Sequence, residues 1–130
     1  MIVLDASAVI DWLLQTSAGQ RIERRIYSRN ESLHAPHLLD VEVVQVLRSL
    51  VREGSVSKGR AAQAIEDLLV LRIARYPHFA MLPAIWHLRH NLSAYDAAYV
   101  VLAETLGATL LTCDRRLGSA PGSTARIEVF

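Results

Sequence analysis

The fold of this 130-residue chain is decided by one stretch, LSAYDAAYVVLAETLGATLLTCDRRL, which covers residues 92–117. Its first half predicts a helix over residues 94–106, because Ser93 is a good N-cap and Gly107 is a natural helix end. Four apolar and β-branched residues come next and predict a strand, and Asp114 follows them closely. The stretch therefore predicts a helix that leads into a buried strand with a carboxylate just beyond its end.

A short apolar strand followed by a helix is a pattern that recurs from the first residues onward. The predicted strands are Ile2–Asp5, Leu33–Ala35, Ile73–Tyr76, Thr109–Thr112 and, as an edge strand, Arg126–Phe130. Helices are predicted between them, one with Pro36 in its first turn and one that opens at Pro83 and runs to about His90. Because a βαβ crossover places its helix over the sheet, this alternation favours an α/β fold with a short, mainly parallel central sheet. The length fits one domain that spans residues 1–130.

Composition and charge exclude several classes of protein. Hydrophobic residues make up 52% of the chain and charged residues 21%, which argues against disorder. Lys and Arg number 14 and Asp and Glu number 13, so the formal charge is only +1. Such a balance excludes the long-range field of a protein that coats nucleic acid or an anionic membrane. Any contact with nucleic acid must therefore be local.

The cysteine count and the N-terminal segment favour a cytoplasmic protein with no membrane partner. Cys113 is the only cysteine, which rules out an intrachain disulfide and a cysteine-based zinc site. The opening MIVLDASAVIDWLL lacks a basic region, and Asp5 and Asp11 interrupt its apolar residues. We therefore expect neither a signal peptide nor a membrane span at this end of the chain.

Acidic residues at strand ends and helix starts are the candidates for chemistry. Asp5 ends the first predicted strand and Asp114 follows a later one, so both belong at the carboxyl edge of the sheet, where ligands bind. Asp96 lies in a first helical turn, where an acid also simply favours the helix dipole. Glu42 lies on a helix with apolar residues around much of its circumference, so it either borders the buried face or is solvated. From the residues alone, non-catalytic interpretations stay open: stabilisation of the helix dipole for Asp96 and simple solvation for Glu42.

Four acids that meet at one sheet edge would repel one another and destabilise the fold unless cations lie among them. Mg²⁺ and Mn²⁺ prefer oxygen ligands and can hold a phosphate between carboxylates, whereas zinc usually recruits His or Cys. The acids therefore predict a site for one or two Mg²⁺ or Mn²⁺ ions and chemistry on phosphate.

Three segments, IVLDASAVIDWLL at 2–14, DVEVVQVLRSL at 40–50 and the stretch 92–117, together carry a resemblance to a known family. In this order they resemble a PIN-domain ribonuclease, and specifically the VapC-type toxin of a toxin–antitoxin pair. The resemblance runs nearly end to end. It implies a PIN-like three-layer α/β/α domain.

Specific roles for the acids follow from the resemblance. It implies that Asp5, Glu42, Asp96 and Asp114 are the catalytic acids that bind one or two Mg²⁺ or Mn²⁺ ions. Our hypothesis is that Asp5 and Asp96 hold the main ion, that Asp114 supports it or a second one, and that Glu42 acts through water on the metal. The implied activity is endoribonucleolytic cleavage of structured RNA, such as tRNA or rRNA loops, by metal-activated water, which inhibits translation.

Supporting residues and partners are also implied by the resemblance. Ser7 and Thr112 match small hydroxyl positions near the family site, although ordinary turn bonding is an equal alternative. Arg115 and Arg116 are candidates for RNA binding, with plain surface charge as the alternative. The expected partners are a second copy in a homodimer and a VapB-type antitoxin in a hetero-oligomer. Part of the apolar surplus would then lie on those interfaces.

Several other side chains have structural interpretations. Asp11 and Asp40 do not match the family acids. Cys113 is predicted to be a small buried hydrophobe rather than a nucleophile. For the four aromatic residues that could stack on bases, packing in the core or at an interface is the preferred prediction. These residues are Trp12, Trp86, Tyr95 and Tyr99.

Two alternative functions come from other classes of protein. A receiver-like phosphoacceptor domain also places an Asp beyond a strand and binds Mg²⁺, but it uses a lysine after a late strand. The only lysine here, Lys58, is predicted to lie in an early helix. The second alternative is a non-catalytic interaction module whose acids serve solubility alone.

Overall fold

The computed structural model describes all residues, 1–130, and contains five strands and seven helices. The strands are β1 (Ile2–Leu4), β2 (Leu33–Pro36), β3 (Ile73–Tyr76), β4 (Thr109–Thr112) and β5 (Arg126–Val129). The helices are α1 (Ala6–Leu13), α2 (Ser17–Ser28), α3 (Leu38–Arg52), α4 (Lys58–Val70), α5 (Leu82–His87), α6 (Ala94–Leu106) and α7 (Arg115–Gly118). A 3₁₀ turn at Phe79–Met81 leads into α5.

The five strands form one sheet in the order β3-β2-β1-β4-β5, and every neighbouring pair is parallel. The chain steps outward from β1 through β2 to β3, crosses back to β4 and ends at β5. Because such crossovers are right-handed, α1 to α4 cover one face of the sheet and α5 and α6 cover the other. This is the three-layer α/β/α architecture that the sequence predicts. The neighbouring strands β1 and β4 lead away in opposite directions, which makes their carboxyl ends the switch point of the sheet.

The core is built on the central strands and on α6. All three residues of β1 are fully buried, and so are the central residues of β4, Leu110 and Leu111. Helix α6 packs across β1, β2 and β4 and is buried continuously from Ala97 to Ala103. A helix that is apolar all round belongs in the interior, and this one is covered by α5 on its outer side. Its N-terminus is thereby held at the carboxyl edge of the sheet.

Helices α1 and α2 are in close backbone contact at Gly19. Thr16 caps α2 by accepting a hydrogen bond of 3.0 Å from the Gly19 N–H. A Cβ atom on Gly19 would overlap the carbonyl oxygen of Asp11 and would lie 2.8 Å from the backbone nitrogen of Trp12. Only glycine therefore fits at this crossing.

Two predicted helix boundaries are wrong. Pro36 is the last residue of β2, opposite Tyr76 in the register, and α3 begins two residues later. Proline is tolerated there because the next residue, His37, supplies the N–H that bonds to the Tyr76 carbonyl at 2.8 Å. Helix α5 ends at His87 rather than near His90, because the next two N–H groups turn back to carbonyls three residues earlier.

The four aromatic residues divide into two pairs. Trp12 and Tyr99 are buried in the core, as predicted. Trp86 and Tyr95 are outside the core, with exposed fractions of 67% and 63%, so packing at an interface stays a prediction for these two. Helix α5 buries Ile85, whereas the side chain of the next residue, Trp86, lies on its exposed side.

None of the helices combines the length and the apolar character that a membrane span requires.

Candidate active site

The four acids singled out in the sequence line one cavity of about 510 Å³ at the carboxyl edge of the sheet. Each comes from a different element of the fold. Asp5 follows β1, Asp114 lies two residues beyond β4, Asp96 is in the first turn of α6, and Glu42 is one turn into α3. The cavity lies at the switch point between β1 and β4, where parallel sheets bind their ligands.

Asp5 is the most rigidly held of the four. It is buried, and its Oδ2 accepts hydrogen bonds from Ser7 Oγ at 2.6 Å and from Thr112 Oγ1 at 2.7 Å. Thr112 is itself fully buried at the end of β4. Both bonds fall on Oδ2, so Oδ1 keeps its capacity to bind another group.

The same two hydroxyl groups also organise the turn after β4. Ser7 Oγ accepts from the Cys113 N–H at 2.9 Å, and Thr112 Oγ1 accepts from the Asp114 N–H at 2.9 Å. Each hydroxyl therefore bonds both the Asp5 carboxylate and a backbone N–H of the turn. The arrangement fixes Asp5 relative to the backbone of Asp114.

Asp114 is paired with an arginine. Its Oδ1 accepts from the Arg116 N–H at 2.8 Å and so caps α7, and its Oδ2 lies 3.1 Å from Arg116 Nη2. The Arg116 guanidinium lowers the pKa of Asp114. Because the Arg116 side chain is 90% exposed, this ion pair contributes little stability and is easily exchanged. Arg115 is exposed beside it and forms no ion pair.

Glu42 is half-buried and faces the cavity rather than open solvent. Its Oε1 is inaccessible to solvent and has no hydrogen-bond partner, and the same holds for the hydroxyl of Tyr99. Burial, and then the charge of Asp5, raises the pKa of Glu42 to about 7. The Tyr99 hydroxyl partly offsets this rise in the pKa of Glu42, although the two side chains do not form a hydrogen bond. Glu42 is therefore close to half-protonated at neutral pH.

Asp96 occupies a similar environment on α6. Its backbone N–H donates to Ser93 Oγ at 3.1 Å, which caps the helix as predicted. Burial raises the pKa of its carboxyl, and the charges of Asp5 and Asp114 add to the effect. For both Glu42 and Asp96, burial is the main cause of the raised pKa, and repulsion from neighbouring acids of the cavity adds to it.

The pKa of Glu42 predicts how the stability of the metal-free protein depends on pH. The folded-state value of about 7 lies above the ordinary value of 4.5, so the folded protein binds this proton more tightly than the unfolded chain. The free energy of unfolding should therefore fall as pH rises between these two values. We expect Glu42→Gln to remove much of this fall and to raise the Tm of the metal-free protein by about 3 °C or more at about pH 8.

Thermal unfolding between about pH 4 and pH 8 measures this dependence. Glu66→Gln, which neutralises an exposed glutamate on α4, is the matched control and should leave the profile unchanged. A Glu42→Gln profile that superimposes on the wild-type profile would contradict the assignment.

The donor set fits a hard divalent cation. The acids supply only oxygen ligands, which Mg²⁺ and Mn²⁺ prefer, and the unpartnered Glu42 Oε1 is a buried oxygen that a cation or its water can satisfy. In this structure, no three His, Cys, Asp or Glu side chains are arranged so that they could bind one metal ion together. A cation held by three of these acids would therefore require side-chain movement.

A protein-family model for the PIN domain matches residues 2–122. The chain belongs to the PIN-domain family. Ribonuclease VapC12 from Mycobacterium tuberculosis is 40% identical over 129 residues, a match that covers 99% of this chain and 98% of the relative. This PIN domain is therefore a member of the VapC ribonuclease family.

Solved structures have the same fold as this PIN domain. PAE2754 from Pyrobaculum aerophilum has a TM-score of 0.72 and 26% identity, and the match covers 98% of this chain and 83% of that one. VapBC2 from Rickettsia felis, bound to a DNA fragment from its promoter, has a TM-score of 0.68 and 14% identity, with coverage of 99% and 98%. At that identity the second likeness concerns the fold alone.

One further acid lines the cavity of this PIN domain. Asp11, which the sequence does not match to the family acids, is there with its Oδ1 accepting from Thr16 Oγ1 at 2.5 Å. No sequence signal distinguishes Asp11, because its position depends on how α1 and α2 cross. Asp40 lies outside the cavity and pairs with Arg75 at 2.9 Å. Burial, and then Asp11, raises the pKa of Cys113 to about 12, so it remains a thiol, as expected for a residue that is not a nucleophile.

A second cavity of comparable size lies at the opposite edge of the sheet, so volume alone does not single out the acid site. It measures about 550 Å³ and includes the buried imidazole of His34. Both nitrogens of His34 are bonded, one to Ser32 and the other to Tyr76. Two of its lining residues, Glu31 and His34, also have shifted pKa values, and both values are lowered. What distinguishes the acid cavity is a group of carboxylates, two of which, Glu42 and Asp96, have raised pKa values.

Proposed function

We propose that this protein is a metal-dependent endoribonuclease toxin that cleaves structured RNA, such as tRNA or rRNA loops, and thereby inhibits translation. Its catalytic acids are Asp5, Glu42, Asp96 and Asp114, and its cofactor is one or two Mg²⁺ or Mn²⁺ ions. One observation carries the proposal: four acids from four elements line one cavity at the switch point, and Glu42 Oε1 there has no partner. The VapC relative, named a ribonuclease, supports the choice of RNA.

The four acids have different proposed roles, which follow from their different environments. Asp5, fixed by Ser7 and Thr112, and Asp96 would be the main ligands. Asp114, which is paired with Arg116 in this structure, would support the same ion or a second one. A bound Mg²⁺ or Mn²⁺ ion would activate water for attack on phosphorus and offset charge on the phosphate oxygens. Glu42, with a pKa of about 7, is suited to accept the proton of the attacking water.

The exposed arginines are placed to guide the RNA backbone. Arg115 and Arg116 open α7 at the rim of the cavity, and both are exposed. Because a guanidinium binds phosphate with two parallel hydrogen bonds, it can exchange a carboxylate partner for a phosphate of the substrate. Arg116 would then contact RNA as it frees Asp114.

The proposed partners are a VapB-type antitoxin and a second copy of the chain, in the cytoplasm. A groove of about 400 Å³ between α3 and α4 is lined by apolar residues and bordered by Arg48, Arg52 and Lys58. An amphipathic acidic segment of an antitoxin fits such a groove. A homodimer and a hetero-oligomer with the antitoxin would cover the apolar side chains that α3 exposes, such as Val41 and Val44.

Two observations disfavour the alternative functions. Lys58, the only lysine, opens α4 and lines the α3–α4 groove rather than the acid cavity, so a receiver-like phosphoacceptor lacks its lysine. An interaction module that needs its acids for solubility alone has no reason to bury Glu42 Oε1 without a partner.

Incubation of the protein with structured RNAs tests the proposed function. We expect cleavage in Mg²⁺ or Mn²⁺, none after chelation, and a phosphate on the new 5′ ends, because water rather than the ribose 2′-OH attacks phosphorus. Acetyl phosphate that labels Asp5 would favour the receiver instead. A protein whose thermal stability does not respond to either metal, and which cuts no RNA, would contradict the proposal.

A further inference from the structure

An aromatic groove lies beside the acid cavity on the other side of the start of α6. We call it the Trp86 groove. It has a volume of about 510 Å³, is formed by Leu82, Ile85, Trp86, Arg89 and Leu92, and ends at Ser93. Most of these side chains are apolar, and the groove lies between α5 and α6.

Trp86 is the most unusual member of this groove. Its side chain is 67% exposed, although an indole carries a large apolar surface that folding normally buries. The guanidinium carbon of Arg89 lies 4.6 Å from the centre of its rings, so one face of the indole carries a stacked cation. Arg89 also donates to the Trp86 carbonyl at 3.1 Å, which holds the pair together. The protein therefore presents a preassembled flat aromatic surface with a positive charge beside it.

The Trp86 groove and the acid cavity share one helical turn. Ser93 ends the groove, and its Oγ accepts from the N–H of Asp96, which lines the acid cavity. Between them Tyr95 is a second exposed aromatic residue. A nucleic-acid strand with one phosphate at the acids therefore has its neighbouring nucleotides close to the groove.

We propose that the Trp86 groove binds an unpaired nucleobase of the RNA, stacked on the indole of Trp86, next to the phosphodiester held at the acids. The inference rests on the proposed function and assigns it a substrate contact. A net charge of only +1 gives weak long-range attraction, so affinity has to come from local contacts such as stacking. Only unpaired bases expose a face that can stack, so the groove selects loops over helical RNA.

A second copy of the chain is the other occupant to consider, because Phe79 and the groove residue Leu82 are both exposed apolar side chains. A nucleobase is favoured over a second copy of the chain by the positive charge of Arg89 and by the closeness of the groove to the acid cavity. Arg89 adds a cation that complements phosphate, and the groove adjoins the acids of the site. The unpartnered apolar face of α3, on the other side of the sheet, offers a separate surface to protein partners.

Fluorescence of a short RNA hairpin with 2-aminopurine in its loop tests the inference, because stacking quenches this base. The experiment uses Asp96→Asn protein, which leaves the RNA uncut. Adding Trp86→Ala is expected to weaken binding by about 5- to 150-fold and to abolish quenching, whereas Trp86→Phe keeps most of both. Tyr27→Ala is the matched control, since Tyr27 is equally exposed on α2 but does not line the groove, and should change neither. With the acids intact, Trp86→Ala should raise KM and leave kcat within about threefold.

Several results would overturn the inference. One is unchanged RNA affinity and quenching in Trp86→Ala. Another is a lower oligomeric state of Trp86→Ala, but not of Tyr27→Ala, in sedimentation, which would identify a contact between copies. The two proposals fail separately. If the wild type cleaves RNA and Trp86→Ala has no effect, only the proposal of base binding in the Trp86 groove is contradicted. If quenching depends on Trp86 but the protein cleaves no RNA, the proposed ribonuclease activity is contradicted and base binding in the groove is supported.

Discussion

Replacement of Asp96 by asparagine is expected to lower metal-dependent RNA cleavage by about 10³-fold or more while the fold stays intact. Asparagine has the same shape but no charge, so it removes a ligand for the cation. The cap of α6 survives because Ser93 Oγ accepts from the backbone N–H of residue 96, not from its side chain. The pKa of Asp96 is raised by burial and by neighbouring acids, so its neutralisation should slightly stabilise the metal-free protein.

Single-turnover cleavage of RNA in Mn²⁺ or Mg²⁺ measures this loss. Asp40→Asn is the matched control, because Asp40 is also a first-turn acid but pairs with Arg75 outside the cavity. Mapping of RNA 5′ ends after brief induction in cells gives the same comparison under natural conditions. Asp96→Asn protein that keeps a tenth or more of the wild-type rate, or a loss of the same size in Asp40→Asn, would remove Asp96 from the catalytic site.

Alanine at Gly19 should destabilise the fold by about 3 kcal/mol or more. Its methyl group would overlap the carbonyl oxygen of Asp11, and backbone atoms cannot turn aside as a flexible side chain can. The helices α1 and α2 would have to separate, which loosens the packing around Ile22. Because Asp11 and Thr16 line the acid cavity, we also expect a change in the shape of the site.

Gly59→Ala is the control for Gly19→Ala. Gly59 is near the start of α4, and a Cβ atom there meets nothing within 4 Å. Alanine should therefore be neutral or stabilising by about 0.5 kcal/mol. Chemical denaturation gives the free energy of unfolding of both variants. Equal stability of the two would mean that α1 and α2 do not meet as closely as their backbones indicate.

The parts of this molecule that follow from local patterns could be predicted from its sequence. Asp5 and Asp114 follow short apolar strands, and parallel strands bring their carboxyl ends to one edge. The Ser93 cap and the Gly107 end of α6 are equally local, and both are present. These features need no knowledge of how the layers pack.

The rest depends on contacts between elements that are far apart in the chain. Glu42 faces the cavity because of the way α3 packs against α1, whereas its sequence surroundings alone favour a solvated side chain. The bonds from Ser7 and Thr112 to Asp5 require the register that places Leu4 opposite Leu111. The exposure of Trp86 likewise depends on how α5 packs against α6.

The sheet order has a consequence for the time at which the site can exist during synthesis. The first strand to leave the ribosome is β1, but its neighbour β4 is among the last, and the hydrogen bond from Thr112 to Asp5 joins residues 107 positions apart. Domains that emerge gradually cannot close such contacts early. The four carboxylates therefore stay apart until nearly the whole chain has been made, and a growing chain has no assembled cavity beside the ribosome that produces it.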